Sequence, residues 1–176
     1  MHRLRVKLLR RSEGQSLIEA AIVIPFLLVF IFNAINIGYF FFAYLNMATA
    51  PRQGTEYSIQ GSTTIYGKGY PTPDAVNSLV QAGMSGSLPN SSSVPMRVCT
   101  LGQGVSTPPD NTQVPLCTNY GSGTFTALQP DPEAPLLVLN RVDVQYTVTP
   151  LIPGGAFNLI FPPSLTFHRY VYMRAE

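Results

Sequence analysis

Histidine, cysteine and charge are scarce in this sequence, and each scarcity removes a class of function. The two histidines are His2 and His168. Neither has cysteines or carboxylates clustered around it, so no zinc-type ligand set can be read. No Gly-x-Ser-x-Gly elbow and no phosphate-binding loop is present. The stretch GQGVSTPPD at 102–110 contains glycines but precedes no helix signal. His168 therefore reads as a structural or surface residue on a strand. The expectation is a protein that is not an enzyme and uses neither a cofactor nor a metal. Charged residues make up 11% of the chain, against about 25% in an average soluble protein. The net charge is +2, but residues 51–176 carry six basic and seven acidic groups and are nearly neutral. A nucleic-acid partner needs a basic face, and none is expected here.

What the chain does have is a long uncharged run beside a short basic one. Arg3, Arg5, Lys7, Arg10 and Arg11 supply five of the eleven basic residues. From Leu17 to Leu45 nearly every residue is apolar, the exceptions being Glu19, Asn33 and Asn36, with Pro25 and Gly38 as backbone irregularities. As a helix this run reaches about 43 Å, and a bilayer core needs about 30 Å. It is apolar on all sides, which is not the pattern of an amphipathic surface helix. Positive charge on one flank keeps that flank cytoplasmic. The expected localisation is the inner (cytoplasmic) membrane, crossed once, with the N-terminus cytoplasmic and the C-terminal domain periplasmic or extracellular. A secretory signal ending at Ala48-Thr49-Ala50 fits less well. Its apolar region should run about 7–15 residues, and Pro51 follows the candidate cut directly. A twin-arginine signal at Arg10-Arg11 meets the same objection of length.

Glu19 is the residue that needs explaining, because a carboxylate within a span is costly and usually faces a partner. A cut between Gly14 and Gln15 would create such a partner, a new ammonium on Gln15. In an array of like helices, Glu19 of one subunit would then pair with the amine of a neighbour and set the axial register. The same cut removes all five basic residues of the leader, leaving six basic groups against eight acidic.

RRSEG followed by QSLIEAAIVIPFLLVF resembles the processing site and first helix of type IV pilin-like proteins, and more closely the TadE-like family of tight-adherence pilus systems. The resemblance rests on the basic leader, Gly14 at the cut, Glu19 five residues later and Pro25 early in the apolar helix. APRQGTEY at 50–57 is similar to the segment that follows the span in that family, retaining Arg52 and Gly54. VDVQYTVTPLIPGGAF is similar to its C-terminal strand and Pro-rich connection. Three positions depart from the pattern: Ala20 replaces an aromatic, Glu56 stands where a second arginine is usual, and Pro51 is expected to interrupt the helix beyond the span. Within the span, Ala34 and Gly38 form a small-x-x-x-small pair that permits close helix approach, and Asn33 and Asn36 are expected to bond across helices. Pro25 is expected to kink or loosen the preceding turn.

Beyond the span, fifteen of the sixteen prolines are interspersed with Gly, Ser and Thr, so long connections are expected. Thr72 as cap, Pro73 and Asp74 in the first turn and Gly83 as stop predict a short helix with Val76, Leu79 and Val80 as its apolar stripe. Val142, Val144, Tyr146 and Val148 alternate with polar residues and predict a strand buried on one face. Leu165–Met173 predicts a second strand, Val94–Leu101 a third, and Thr124–Leu128 a weak fourth. Tyr170 and Tyr172 are read as packing residues. Cys99 and Cys117 both fall beyond the membrane, where oxidation is permitted, and are read as a disulfide.

The fold class expected is α+β: a transmembrane and stalk helix, then a small extracytoplasmic domain with an antiparallel sheet and one or two short helices. The boundaries are 1–14 for the leader, 15–50 for the span and stalk, and 51–176 for the domain. The function read from these features is that of a minor pilin or pseudopilin of a tight-adherence pilus or secretion apparatus, acting in assembly and adhesion. Its partners would be the lipid bilayer, a prepilin peptidase, other pilin-like subunits and the assembly platform. The alternative is a single-span anchored binding module that is never cut.

Overall fold

A computed structural model describes residues 6–60, 69–89, 91, 94–106, 114–128, 138–155 and 162–175, with the side chains of the helix described from residue 14 onward. Helix α1 runs from Val6 to Ile59 without a break, α2 from Pro73 to Ser85. The strands are β1 (Met96–Cys99), β2 (Val105–Ser106), β3 (Val114–Pro115), β4 (Cys117–Tyr120), β5 (Val138–Val148) and β6 (Leu165–Ala175). A four-stranded antiparallel sheet has the order β4-β1-β5-β6, and β2 pairs with β3 in a separate ribbon. This is the α+β architecture expected from the sequence.

The chain divides into two compact units, Met1–Phe40 with Thr149–Ser164, and Phe41–Val148 with Leu165–Glu176. In the second unit the core lies where α1 and α2 meet one face of the sheet. Ala43, Met47 and Ala50 of α1 are buried, as are Val76, Val80 and Met84 of α2 and Val98, Val142, Val144 and Val148 of the sheet. Three- and four-residue steps put each helical set on one face, and alternation does the same for the strands. Tyr146 is buried with them, its hydroxyl donating to the Pro89 carbonyl at 2.6 Å.

Helix α1 does not stop at Pro51. It continues for two more turns, and the side chain of Thr55 donates to the Pro51 carbonyl at 2.7 Å. Proline removes one i→i−4 bond, and burial of Pro51, Gly54, Thr55 and Ser58 against the domain holds the helix through that gap. Gly54 sits at the tightest point. A β-carbon there would lie 2.3 Å from Val80 Cγ2 and 3.5 Å from Val76 Cγ1, so only glycine lets α1 approach α2 this closely.

Helix α2 begins as expected, with Thr72 Oγ1 accepting from the Ala75 amide at 3.3 Å. It ends later than expected, at Ser85 with Gly86 as its cap, and Met84 rather than the 40%-exposed Leu79 completes the buried stripe. The expected fourth strand at 124–128 is not a strand; β4 takes that place beside β1.

The opposite face of the sheet is polar, yet buried at its centre. Arg141 and Asp143 are 1% and 3% exposed. Asp143 lies between two guanidinium groups, bonded by Arg97 Nε at 3.0 Å and by Arg141. The coil at 123–128 covers this cluster: the Thr126 carbonyl accepts from Arg97, and the Ala127 carbonyl accepts from Arg141 at 3.3 Å. Arg141 also lies over the rings of Tyr170 and Tyr172, which meet edge to face at 5.5 Å. Tyr172 is half-buried here, while Tyr170 remains 52% exposed.

Candidate functional site

The residues singled out by the sequence gather along α1. Gly14, Gln15, Glu19 and Pro25 all lie within the helix, and every described side chain from 14 to 28 is exposed. Leu17, Ile18, Ile22, Val23, Phe26 and Phe30 are each more than half exposed. Apolar surface on this scale is not stable in water, so the segment requires lipid or other helices around it. The helix from Gly14 to Ile59 is the one described helix long and apolar enough to cross a membrane. Its apolar character fits a single-pass membrane anchor.

Gly14 lies inside α1, not at its start, and a β-carbon there would meet nothing within 4 Å. No packing therefore demands glycine at this position. What glycine does supply is a weak point, since it disfavours the helix by about 1 kcal/mol relative to alanine. One turn on, Glu19 Oε1 accepts from Gln15 Nε2 at 3.4 Å on the exposed surface. A long bond to a neutral amide does little for a carboxylate in a low-dielectric setting. Pro25 leaves the helix unbroken. Arg3 and Arg5 lie outside the described residues, as does His2, and so do the side chains of Lys7, Arg10 and Arg11. The leader boundary at residue 14 falls inside a continuous helix.

The asparagines of the span both make hydrogen bonds within the chain. Asn33 Nδ2 donates to the Val29 carbonyl in its own helix at 2.8 Å. Asn36, 1% exposed, uses both ends of its amide on one residue: Nδ2 donates to the Ile152 carbonyl at 3.1 Å and Oδ1 accepts from the Ile152 amide at 3.0 Å. Ala34 and Gly38 stay exposed on the helix.

In the second unit, Cys99 and Cys117 are directly opposite one another on β1 and β4 and form a disulfide. Closing a loop of this size contributes about 3 kcal/mol in the chain-entropy treatment. Arg52 and Glu56 form an exposed ion pair at 3.0 Å, which explains how glutamate sits comfortably one turn after the arginine. Asn140 joins three elements: Oδ1 accepts from the Leu101 amide at 2.9 Å, and Nδ2 reaches Ser58 Oγ at 3.1 Å at the end of α1. Sequence reasoning missed this asparagine and the Arg97–Asp143–Arg141 cluster, because polar residues on an alternating strand read as solvent-facing. His168 is exposed on β6. Among the described residues no three His, Cys, Asp or Glu side chains gather as a metal site would require. One open concavity of about 610 Å³ lies among Leu151, Pro153, Gly154 and Pro163, with no charged side chain in its lining.

Residues 14–55 match the family model described as TadE-like protein. The match covers the start of the exposed apolar segment, the whole span and the neck through Gly54, and it bears out the resemblance drawn from Gly14, Glu19 and Pro25. No curated protein and no solved structure matches the chain.

Proposed function

We propose that this chain is a pilin-like subunit associated with a tight-adherence pilus, anchored by α1, and that a prepilin peptidase cuts it between Gly14 and Gln15. The TadE-like match over residues 14–55 supports the coarse reading, a structural protein of the pilus apparatus. The finer reading is carried by one observation. Gly14 and Glu19 stand at pilin-like spacing at the start of a helical surface that is wholly exposed and wholly apolar apart from Glu19 and small polar groups.

The chemistry follows from that surface. Before the cut, Glu19 accepts from the Gln15 side-chain amide at 3.4 Å among the described residues. After the cut, each subunit carries an ammonium at Gln15 and a carboxylate at Glu19. In a bundle of such helices the two charges meet between neighbours, where a low dielectric strengthens their attraction. The pair specifies axial register, because sliding one helix by a turn separates the charges. Gly14 assists the cut: a peptidase needs an extended backbone, and glycine weakens the helix locally. The exposed Ala34 and Gly38 would let neighbouring helices approach closely further along. The domain beyond the neck would then face the periplasm or exterior and serve assembly or adhesion.

The competing reading, an uncut anchor carrying a binding domain, draws on the helix running unbroken through Gly14. The two part company at Glu19. Under the pilin reading, Glu19→Ala abolishes or sharply reduces co-purification with other pilin-like subunits while leaving membrane insertion intact. Under the anchor reading the substitution is neutral or favourable to insertion, so unchanged association with pilins would remove the register role.

A further inference from the structure

The connection between β5 and β6 is unusual in its chemistry. From Thr149 to Phe167 the sequence carries no charged residue. Surface connections normally carry polar residues that satisfy and solvate the chain. The described turn at its start, TPLIPGG from Thr149 to Gly155, contains four consecutive apolar or proline residues and leaves Leu151 60% exposed. A single exposed leucine would need no explanation. The second observation is what the turn is tied to.

Ile152 is held by Asn36, which satisfies both its amide at 3.0 Å and its carbonyl at 3.1 Å. The turn and this part of the helix belong to the same compact unit. Asn36 lies 22 residues after Gly14, a rise of about 33 Å along the helix, and the hydrocarbon core is about 30 Å thick. If the hydrocarbon begins near Gly14, Asn36 falls at about the level where the span would leave it. Irregular backbone is tolerated near that depth only if its polar groups are bonded to protein. A side-chain amide that closes on both groups of one residue meets that condition, and the same amide would be costly in a span without such a partner.

We propose that the Thr149–Gly155 turn is a lipid-contact element, held against the span by Asn36 and seated at the boundary between headgroups and acyl chains on the far side of the membrane from the leader. Its occupant is the bilayer itself, and its surface continues the apolar surface of the helix. The turn would fix the depth of the span and the position of the β5–β6 connection relative to the bilayer. This inference requires that α1 spans the membrane; it does not require the cut after Gly14.

The test uses the full chain in phosphatidylcholine–phosphatidylglycerol vesicles, with an environment-sensitive fluorophore on Leu151→Cys and, separately, on Pro153→Cys. The native cysteines are joined and do not take the label. Quenching by acyl-brominated lipid is compared with quenching by aqueous iodide. The proposal predicts strong quenching by the brominated lipid and weak quenching by iodide at both sites. It also predicts that Asn36→Leu, which keeps the span apolar, shifts quenching from lipid towards iodide. Strong iodide quenching in the parent chain would overturn the lipid contact, as would protection from both quenchers, which would mean that a protein covers the turn. Unchanged quenching in the Asn36→Leu chain would overturn the anchoring role.

Discussion

At the scale of single residues, two positions carry more than their size suggests. Gly54 is retained at the helix crossing because Val80 Cγ2 occupies the space a β-carbon would need, at 2.3 Å. Valine is stiff about its first torsion and cannot swing away cheaply. Alanine normally favours a helix over glycine by about 1 kcal/mol, but overpacking a tight core costs about 1–3 kcal/mol. Gly54→Ala is therefore expected to lower the urea midpoint of the domain unfolding transition, and adding Val80→Ala is expected to restore part of it. A rise in the midpoint for Gly54→Ala alone would refute the tight crossing. Tyr120 is the other position. Burial, and a 2.7 Å bond to Asp74 Oδ1 with its negative charge, push the phenol well above its ordinary value of 10.0. The folded chain thus holds this proton more tightly than the unfolded chain. The stability it contributes is complete below the ordinary tyrosine value and drains away as pH rises above it. Unfolding measured across the alkaline range should show a steeper fall for the native chain than for Tyr120→Phe.

At the scale of elements, the elements with clear periodicity were legible and the ones held by side chains were not. β5 was read from Val142, Val144, Tyr146 and Val148, all of which are buried. Its other face was misread as solvated, because alternation says which residues share a face and not what covers it. The cover is the coil at 123–128, where the sequence pattern at 124–128 predicts a strand. Its backbone bonds go to arginine side chains and to Gln145, whose Oε1 accepts from the Thr124 amide at 3.0 Å, and not to a ladder. β4 escaped notice because CTNY has no apolar alternation; its place comes from register opposite β1 and from the disulfide at its first residue. Pro51 misled in the other direction, since tertiary burial outweighed the loss of one helical bond. The polar face gives the sharpest prediction here. Asp143 is the shared carboxylate of Arg97 and Arg141, and its removal leaves two guanidinium groups side by side with little water. Breaking a buried pair from one side costs about 3–5 kcal/mol, so Asp143→Ala should unfold the domain at far lower denaturant than the native chain. A shift no larger than that of an exposed substitution such as Thr147→Ala would show the cluster to be dispensable.

At the scale of the whole molecule, the candidate site was legible because it is a matter of spacing and hydropathy: a basic leader, Gly14, Glu19 and a long span. Under the proposed reading its chemistry would depend on neighbouring helices, and in this chain the helix surface from 14 to 28 stays exposed. The cut would also alter the molecule as a whole, taking a chain of eleven basic and nine acidic residues to one of six and eight. Under the pilin reading, loss of the leader would also remove its five positive charges, and extraction of the helix into an assembly would become easier. The most direct measurement is the intact mass and N-terminal residue of the protein purified from membranes of a cell that carries the pilus system. The pilin reading predicts a chain that begins at Gln15. A chain that begins at Met1 would contradict it, leaving an uncut anchor in which Glu19 keeps the amide of Gln15 as its partner among the described residues.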